Sequence, residues 1–550
     1  MPSLLPLNND PLGRKNAAHL LRRATFAVGK QEIDTFSGYT ITQALDVLFA
    51  PAELPEPPID PVTGAPWVNP KRNDGNSEEK DLIPFTLSWW TDKMMNSGTS
   101  ARWRFTWYLH THFPTIRSRI PHSTAIYHQL MLFWHYSLGN IKTLSKKLCY
   151  DNAMLRHLDG RLNDKDRPNE NFAREFFELF TVGKGQQTGP DDYSTFTEDD
   201  VKEASRVLSG FGLDNDYINY DPETGVAMGI LKGNDLLATR HDAGTKTFSE
   251  AFNNTVIAPE EIISNSATKE ATMQELDDFI EMVFAQKSTA LFICRKLYRF
   301  YAYYNITDSI EQDIISPLAD YLLESDYEIE PVLRRLLSSL HFYDADNATE
   351  TDDIIGAQIK SPLEIIAGSI NFFKTPLADQ NTDIEKFYQI HSNFRQKMDL
   401  QGLEFFEPYD VSGYDAYHQV PAYNRNWITP NNLARRYQFA QDLVLGTVIG
   451  GDTLLYKMDI VAYVDNLANI SDPEDAEVLA REIIENLLPR SITPERFDHF
   501  FRDILLDTLS VINWRFEWQN YKNTGDDSNV RVQLENFMLA LMQSPEYQLM

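Results

Sequence analysis

Three groups of residues in this 550-residue chain have types and spacings suited to chemistry. The first is Asn171, Arg174, Glu175 and Glu178, which follows Pro168-Asn169-Glu170. On a helix turning about 100° per residue these four share one narrow arc, and Phe172, Ala173, Phe176, Phe177, Leu179 and Phe180 fill the opposite side. Glu175 and Glu178 then lie about one turn apart, close enough to share a cation or to drive their pKa values apart. The simpler reading is a solvated face. Glu170–Arg174 and Arg174–Glu178 would then be ion pairs worth about a few tenths of a kcal/mol. The asparagines argue for more, because Asn at a helix start caps it or fixes the preceding loop.

The second group is His110 and His112. If the helix holding Trp103 and Trp107 continues through them, they face different ways and only one can join a given site. If the chain leaves the helix before Pro114, both can point the same way. Aromatic packing with one satisfied imidazole is the blander and favoured account. The third group is His241-Asp242 in a polar loop before Gly244 and Lys246. An adjacent imidazole and carboxylate suit metal binding or proton transfer, although Asp-Ala-Gly is also a common turn.

Together these give one hypothesis: a divalent metal held between helices by Glu175, Glu178, His110, His112 and His241. Glu175, Glu178, His241 and Asp242 would be its catalytic groups. The double Glu-x-x-His pattern of di-iron bundles is absent, which argues against that class. So are the Gly-x-Ser-x-Gly elbow, the phosphate-binding Gly-x-x-x-x-Gly-Lys loop, His-Glu-x-x-His and Cys-x-x-Cys. Gly183-Lys184-Gly185 with Gly189 has the wrong spacing for a dinucleotide fingerprint. Asp344-Ala345-Asp346-Asn347 starts like a calcium loop but lacks the later glycine and acid, and reads as a surface loop. Cys149 and Cys294 sit in apolar runs as buried thiols, with a disulfide between them left open.

The elements that would position these groups are mostly helices. Apolar periodicity predicts helices over 16–50, 84–158, 168–183 and 197–211, with Thr197 capping the last. Others are expected at 269–305, 308–325, 328–340, 361–373, 430–447, 475–487, 494–509 and 532–543. Residues 51–80 hold seven prolines and read as a loop or arm. Residues 213–250 read as a polar loop with short strands, and 405–430 as irregular. The expected fold is mainly α, a large multi-helix orthogonal or bundle-like architecture with long irregular loops and few short strands. The division expected is a main helical domain at 1–345 and a C-terminal helical part at 346–550 packed on it.

Hydrophobic residues make up 42% of the chain, enough for a sizeable core. The formal net charge is −30, so nucleic acid and anionic membrane are poor partners, while cations and divalent metals are favoured. No stretch has the roughly 20 apolar residues of a spanning helix, and the first residues lack a secretory signal pattern. A soluble, cytoplasmic protein is expected, with a periplasmic or extracellular location left open.

Several segments occur in the order found in one family. They are His19–Phe26, His110-Thr111-His112-Phe113, Leu138-Gly139-Asn140, Ala153-Met154-Leu155 with Leu158-Asp159-Gly160, and Pro168–Glu175 continuing to Gly183. Then follow His241–Lys246, Lys296-Leu297-Tyr298, Lys360–Glu364, Pro408 with Val411, Gly413 and Tyr414, and Ser544–Tyr547. In these the chain resembles the bacterial domain of unknown function 1800 family, over nearly its whole length. The resemblance implies no defined activity. It does imply a protein partner of the phosphatase or sulfatase superfamily type. The tryptophan usual in that family after Val-x-Gly is Tyr414 here.

Two functions follow. One is a metal-dependent enzyme with its Glu/His/Asp site between helices. The other is a non-catalytic scaffold whose loops at 51–80 and 405–430 contact a partner. The enzyme leads narrowly, because polar residues recur in several separate loops.

Overall fold

A computed structural model describes residues 2–26, 28–68, 77–346, 353–451 and 453–550. Helices carry 54% of the chain and the strands form only short antiparallel pairs, so helices position the site. The fold is mainly α.

The N-terminal helices are Gly13–Ala24, Lys30–Ser37 and Ile41–Leu48. The central aromatic helices are Glu79–Met95, Arg102–His112 and Ser123–His135. Trp89, Trp90, Trp107 and Phe105 are fully buried there. Such wide rings supply much apolar area per residue, and they make this layer the centre of the core. The core is contiguous from Leu12 to Tyr547, so the parts at 1–345 and 346–550 share one interior.

The Pro-rich segment packs down rather than projecting. Ile59–Asp60 pairs with Ala65–Pro66, Trp67 Nε1 donates to Ser123 Oγ at 2.9 Å, and Trp89 Nε1 donates to Glu56 O at 2.7 Å. Its residues 69–76 lie outside the described residues. The polar region after residue 210 is threaded by strand pairs Phe211–Gly212 with Ile230–Leu231 and Lys246–Thr247 with Val256–Ile257. Thr197 and Asp200 form the expected capping box of the helix Glu198–Val207.

Two long helices went unread in the sequence. Ile384–Leu400 buries Phe387, Ile390, His391, Phe394 and Met398, and Val511–Thr524 buries Trp514 and Trp518. Both carry the helical spacing, with Phe387, Ile390, Phe394 and Met398 in one and Trp514 and Trp518 in the other, so the pattern was present in the sequence. The supposed surface loop after Tyr343 is tied inward. Asp344 accepts the N–H of Ile354 and Ile355 at 2.7 and 3.0 Å, and buried Asp346 accepts from His341 Nδ1 at 2.9 Å. Asn347 lies outside the described residues. Cys149 and Cys294 are buried free thiols. Among the described residues no helix is long and apolar enough to cross a membrane.

Candidate functional site

The carboxylate segment begins as predicted and then changes pitch. Asn163 Oδ1 accepts from Asn169 N–H and Asn169 Oδ1 from Asn171 N–H, both at 3.0 Å, so the asparagines fix the helix start. The α-helix runs only Asn171–Glu175 and gives way to a π-turn at Phe176–Phe180. Wider turns of this kind re-aim the residues that follow and recur at functional sites. Phe172, Ala173, Phe176, Phe177 and Phe180 are buried. Arg174 turns away from Glu178 to hold both carboxylate oxygens of Glu198 at 2.8 and 2.7 Å. Glu178 pairs with Lys184. Glu175 remains half-buried. Burial first, then the negative charge of Glu178, push its carboxyl up to about 7.

His241 and Asp242 belong to a different neighbourhood. His241 is fully buried, with Nδ1 at 2.9 Å from Ser209 O and Nε2 at 2.7 Å from Glu275 Oε2. Lys246 reaches the other oxygen of Glu275. Gly210 allows this packing. Its φ is +85°, and a Cβ there would stand 2.7 Å from His241 N. Asp242 receives two bonds from Arg206, at 2.9 and 3.1 Å. Burial raises its carboxyl and the guanidinium outweighs burial, holding it below the usual range. Both ring nitrogens of His241 and both oxygens of Asp242 are thus engaged with partners other than Glu175 or Glu178. Among the described residues no group of three or more His, Cys, Asp or Glu is arranged to hold a metal ion.

The helix Arg102–His112 continues through both histidines, so they diverge. His110 stacks on Phe406, with centroids 4.4 Å apart, and meets Trp90 edge-on at 5.3 Å. Its Nε2 lies 3.3 Å from the Tyr414 hydroxyl, which also accepts the Phe406 N–H at 2.8 Å. Tyrosine thus bridges two groups at the position where the resemblance leads one to expect tryptophan. Burial pushes His110 down to about 3.

His112 instead lines a cleft between this helix, the helix Lys287–Tyr301, the helix Pro362–Phe372 and the segment 412–427. About 40 Å³ of the cleft is open to the centre of a water molecule, room for a few waters or a small ion. Four of the motif segments meet here: Thr111-His112, Lys296, Ser361 with Glu364, and Ser412 beside Val411 and Gly413. The π-turn closes on the same place. His112 Nε2–H donates to Phe180 O at 3.0 Å, and Lys296 Nζ donates to Leu179 O at 2.9 Å. Gly183 makes the approach possible. Its φ is +68°, and a Cβ would lie 2.6 Å from the Phe292 ring.

The charge of the cleft opposes that of the chain. Arg104, Lys296 and Arg299 line it, and Glu364 is its one acidic side chain among the described residues. Glu364 is fixed by the Ser361 capping box and spent on Arg104. Lys296 Nζ lies 4.8 Å over the Phe292 ring, and the Arg299 guanidinium lies 5.3 Å over Tyr423. Burial and the neighbouring Arg299 push the Lys296 ammonium down to about 7. Burial and Lys296 hold His112 well below its ordinary value, so its imidazole is neutral. Among the described residues, five that line the cleft keep a buried polar atom with no hydrogen-bond partner: Arg104 Nε, Tyr108 OH, His112 Nδ1, His418 Nε2 and Asn424 Oδ1. Buried polar atoms are rarely left unpaired, so this group of atoms is available to water or to a polar ligand in the cleft.

The family description "Protein of unknown function (DUF1800)" matches residues 19–549. The chain belongs to the DUF1800 family. No curated protein and no solved structure matches it. The DUF1800 match spans all the segments that meet at the cleft. Two of the cleft's cations, Arg104 and Arg299, lie outside the motif segments. The signal for Arg104 was present, as an arginine inside the aromatic run Trp103-Arg104-Phe105 that a fully buried helix has to compensate.

Proposed function

We propose that the cleft binds a small oxyanion, a carboxylate or phosphate-type group, and that Lys296 moves a proton on it. The carrying observation is that Lys296 and Arg299 line one cleft in which, among the described residues, the one acidic side chain, Glu364, is already paired with Arg104. Two cations with no carboxylate in ion-pair contact among the described residues attract an anion. Around neutral pH the Lys296 side chain is divided between ammonium and amine. The ammonium holds the anion. The amine accepts a proton from carbon, oxygen or water beside it. The unpartnered Nδ1 of neutral His112 takes a hydrogen bond from a donor on the ligand, because its Nε2–H is committed to Phe180 O. The result is a proton acceptor, a hydrogen-bond acceptor and an anion clamp in one cleft.

The divalent-metal reading has less behind it. Glu178 faces Lys184, His241 and Asp242 lie in the separate Glu275 and Arg206 clusters, and His110 is packed among aromatic rings.

Titration calorimetry with phosphate, sulfate and acetate tests the proposal. Binding is expected in the wild type, weakening as the pH rises through about 7 and lost in Lys296→Met and in Arg299→Met. No heat with any of these anions, or unchanged binding in both variants, overturns it. Tight uptake of a divalent ion that disappears in Glu175→Gln would restore the metal reading.

A further inference from the structure

A second concavity has a different character. It is a groove of about 690 Å³ between the helix Gly13–Ala24, the helix Ala476–Leu487 and the following segment through residue 502. Its floor is apolar: Ala18, Ile33, Ile484, Leu488, Phe497 and Phe501. Its walls carry Arg14, Lys15, Arg22, Arg481, Arg490 and Arg502, against Glu477, Glu485 and Asp498. The whole chain has 80 acidic and 50 basic residues, so this lining inverts the balance of the molecule.

The cations are interleaved with the floor. The Arg481 guanidinium sits 4.4 Å over Phe497, and that of Arg502 sits 5.8 Å over Phe501. The rim already accepts carboxylates from its own chain: Asp353 on Arg490 at 2.9 Å, Glu477 on Arg481 at 2.8 Å, Asp498 on Arg502 at 3.3 Å, and Asp34 on Arg14. Lys15 and Arg22 have no carboxylate in ion-pair contact among the described residues. Arg22 donates only to the backbone oxygen of Asn486, at 2.6 Å.

We propose that this groove docks an acidic, amphipathic segment of a partner protein. The segment's apolar side chains rest on Ile484, Leu488, Phe497 and Phe501, and its carboxylates meet Lys15, Arg22 and, in exchange for Asp498, Arg502. An apolar floor with a charged rim is the composition of a peptide-binding groove, in which the floor gives affinity and the rim gives orientation and partner choice. A long polyanion such as nucleic acid fits poorly, because it would run beyond the groove onto a surface that contributes to a net charge of −30. The groove and the oxyanion cleft have no lining residue in common, so this inference stands apart from the proposed function.

The test uses the full chain and a short fluorescein-labelled peptide with leucines at i, i+3 and i+4 and glutamates between them, followed by anisotropy. Saturable binding that weakens with salt is expected. It should fall by about tenfold in the double variant Lys15→Glu, Arg502→Glu, whose two side chains are exposed and whose fold is checked by circular dichroism. The proposal is overturned by no binding to the wild type, by equal binding to the folded double variant, or by equal binding of the peptide with lysines in place of its glutamates. Binding of polyglutamate or single-stranded DNA as tight as that of the peptide also overturns it, by showing a patch for polyanions in general.

Discussion

His112 donates its Nε2–H to the carbonyl oxygen of Phe180 at 3.0 Å, across the junction of the aromatic helix and the π-turn. This bond fixes the tautomer of His112. It leaves Nδ1 as a bare acceptor lining a cationic cleft, and it ties the geometry of the cleft to the end of the carboxylate segment.

The two histidines of the Arg102–His112 helix should therefore behave differently. His112→Phe is expected to weaken the binding of phosphate, whose O–H loses its acceptor, more than that of sulfate or acetate, which carry no donor. His110→Phe should leave the affinity unchanged and cost about 1 kcal/mol of stability, because the Tyr414 hydroxyl loses one partner and keeps the Phe406 N–H. Calorimetry and urea unfolding on both variants check this.

Lys296→Met should trade function for stability. The folded value of about 7 lies below the unfolded value of about 10.4. Between those limits the unfolded chain binds more protons, so wild-type stability rises with pH there and carries its full penalty below about 7. The variant lacks that penalty. At pH 6 it should melt above the wild type, and the difference should shrink as the pH approaches 10. Melting curves across that range, beside the anion titration, measure both halves.

Glu175→Gln should stabilise on the alkaline side. The carboxyl is pushed up to about 7 from an ordinary value of about 4.3, so the folded chain binds more protons between those limits and wild-type stability falls as the pH rises through them. The gain in the variant should be absent below about pH 4 and reach about 1 kcal/mol above pH 7, reduced by the solvent that half-exposed Glu175 still sees. Urea midpoints at pH 4 and pH 8 decide it.

The His241–Glu275–Lys246 cluster should prove structural. Glu275→Ala leaves the Lys246 ammonium buried without its partner, which costs about 3–5 kcal/mol. Replacing both members, Lys246→Met with Glu275→Leu, should recover much of that. Oxyanion affinity in the folded double variant should equal that of the wild type. Denaturant unfolding and calorimetry test the pair together.

The sequence alone determined the helical architecture, the capping of the helix at Thr197 and Asp200, the buried Phe face beside Glu175, and the family, because these follow from local periodicity and ordered motifs. It also determined that His110 and His112 part company if their helix continues. Only the tertiary structure decided which partner each polar group takes. Arg174 chose Glu198 over Glu178, His241 chose Glu275, and Arg104 chose Glu364, across sequence separations of 24, 34 and 260 residues. A buried charge is satisfied by whatever the packing of helices brings beside it, and helix periodicity reports which way a side chain faces, not what stands opposite. For that reason the cleft of Lys296, Arg299 and His112 became visible only when the helices carrying them were seen side by side.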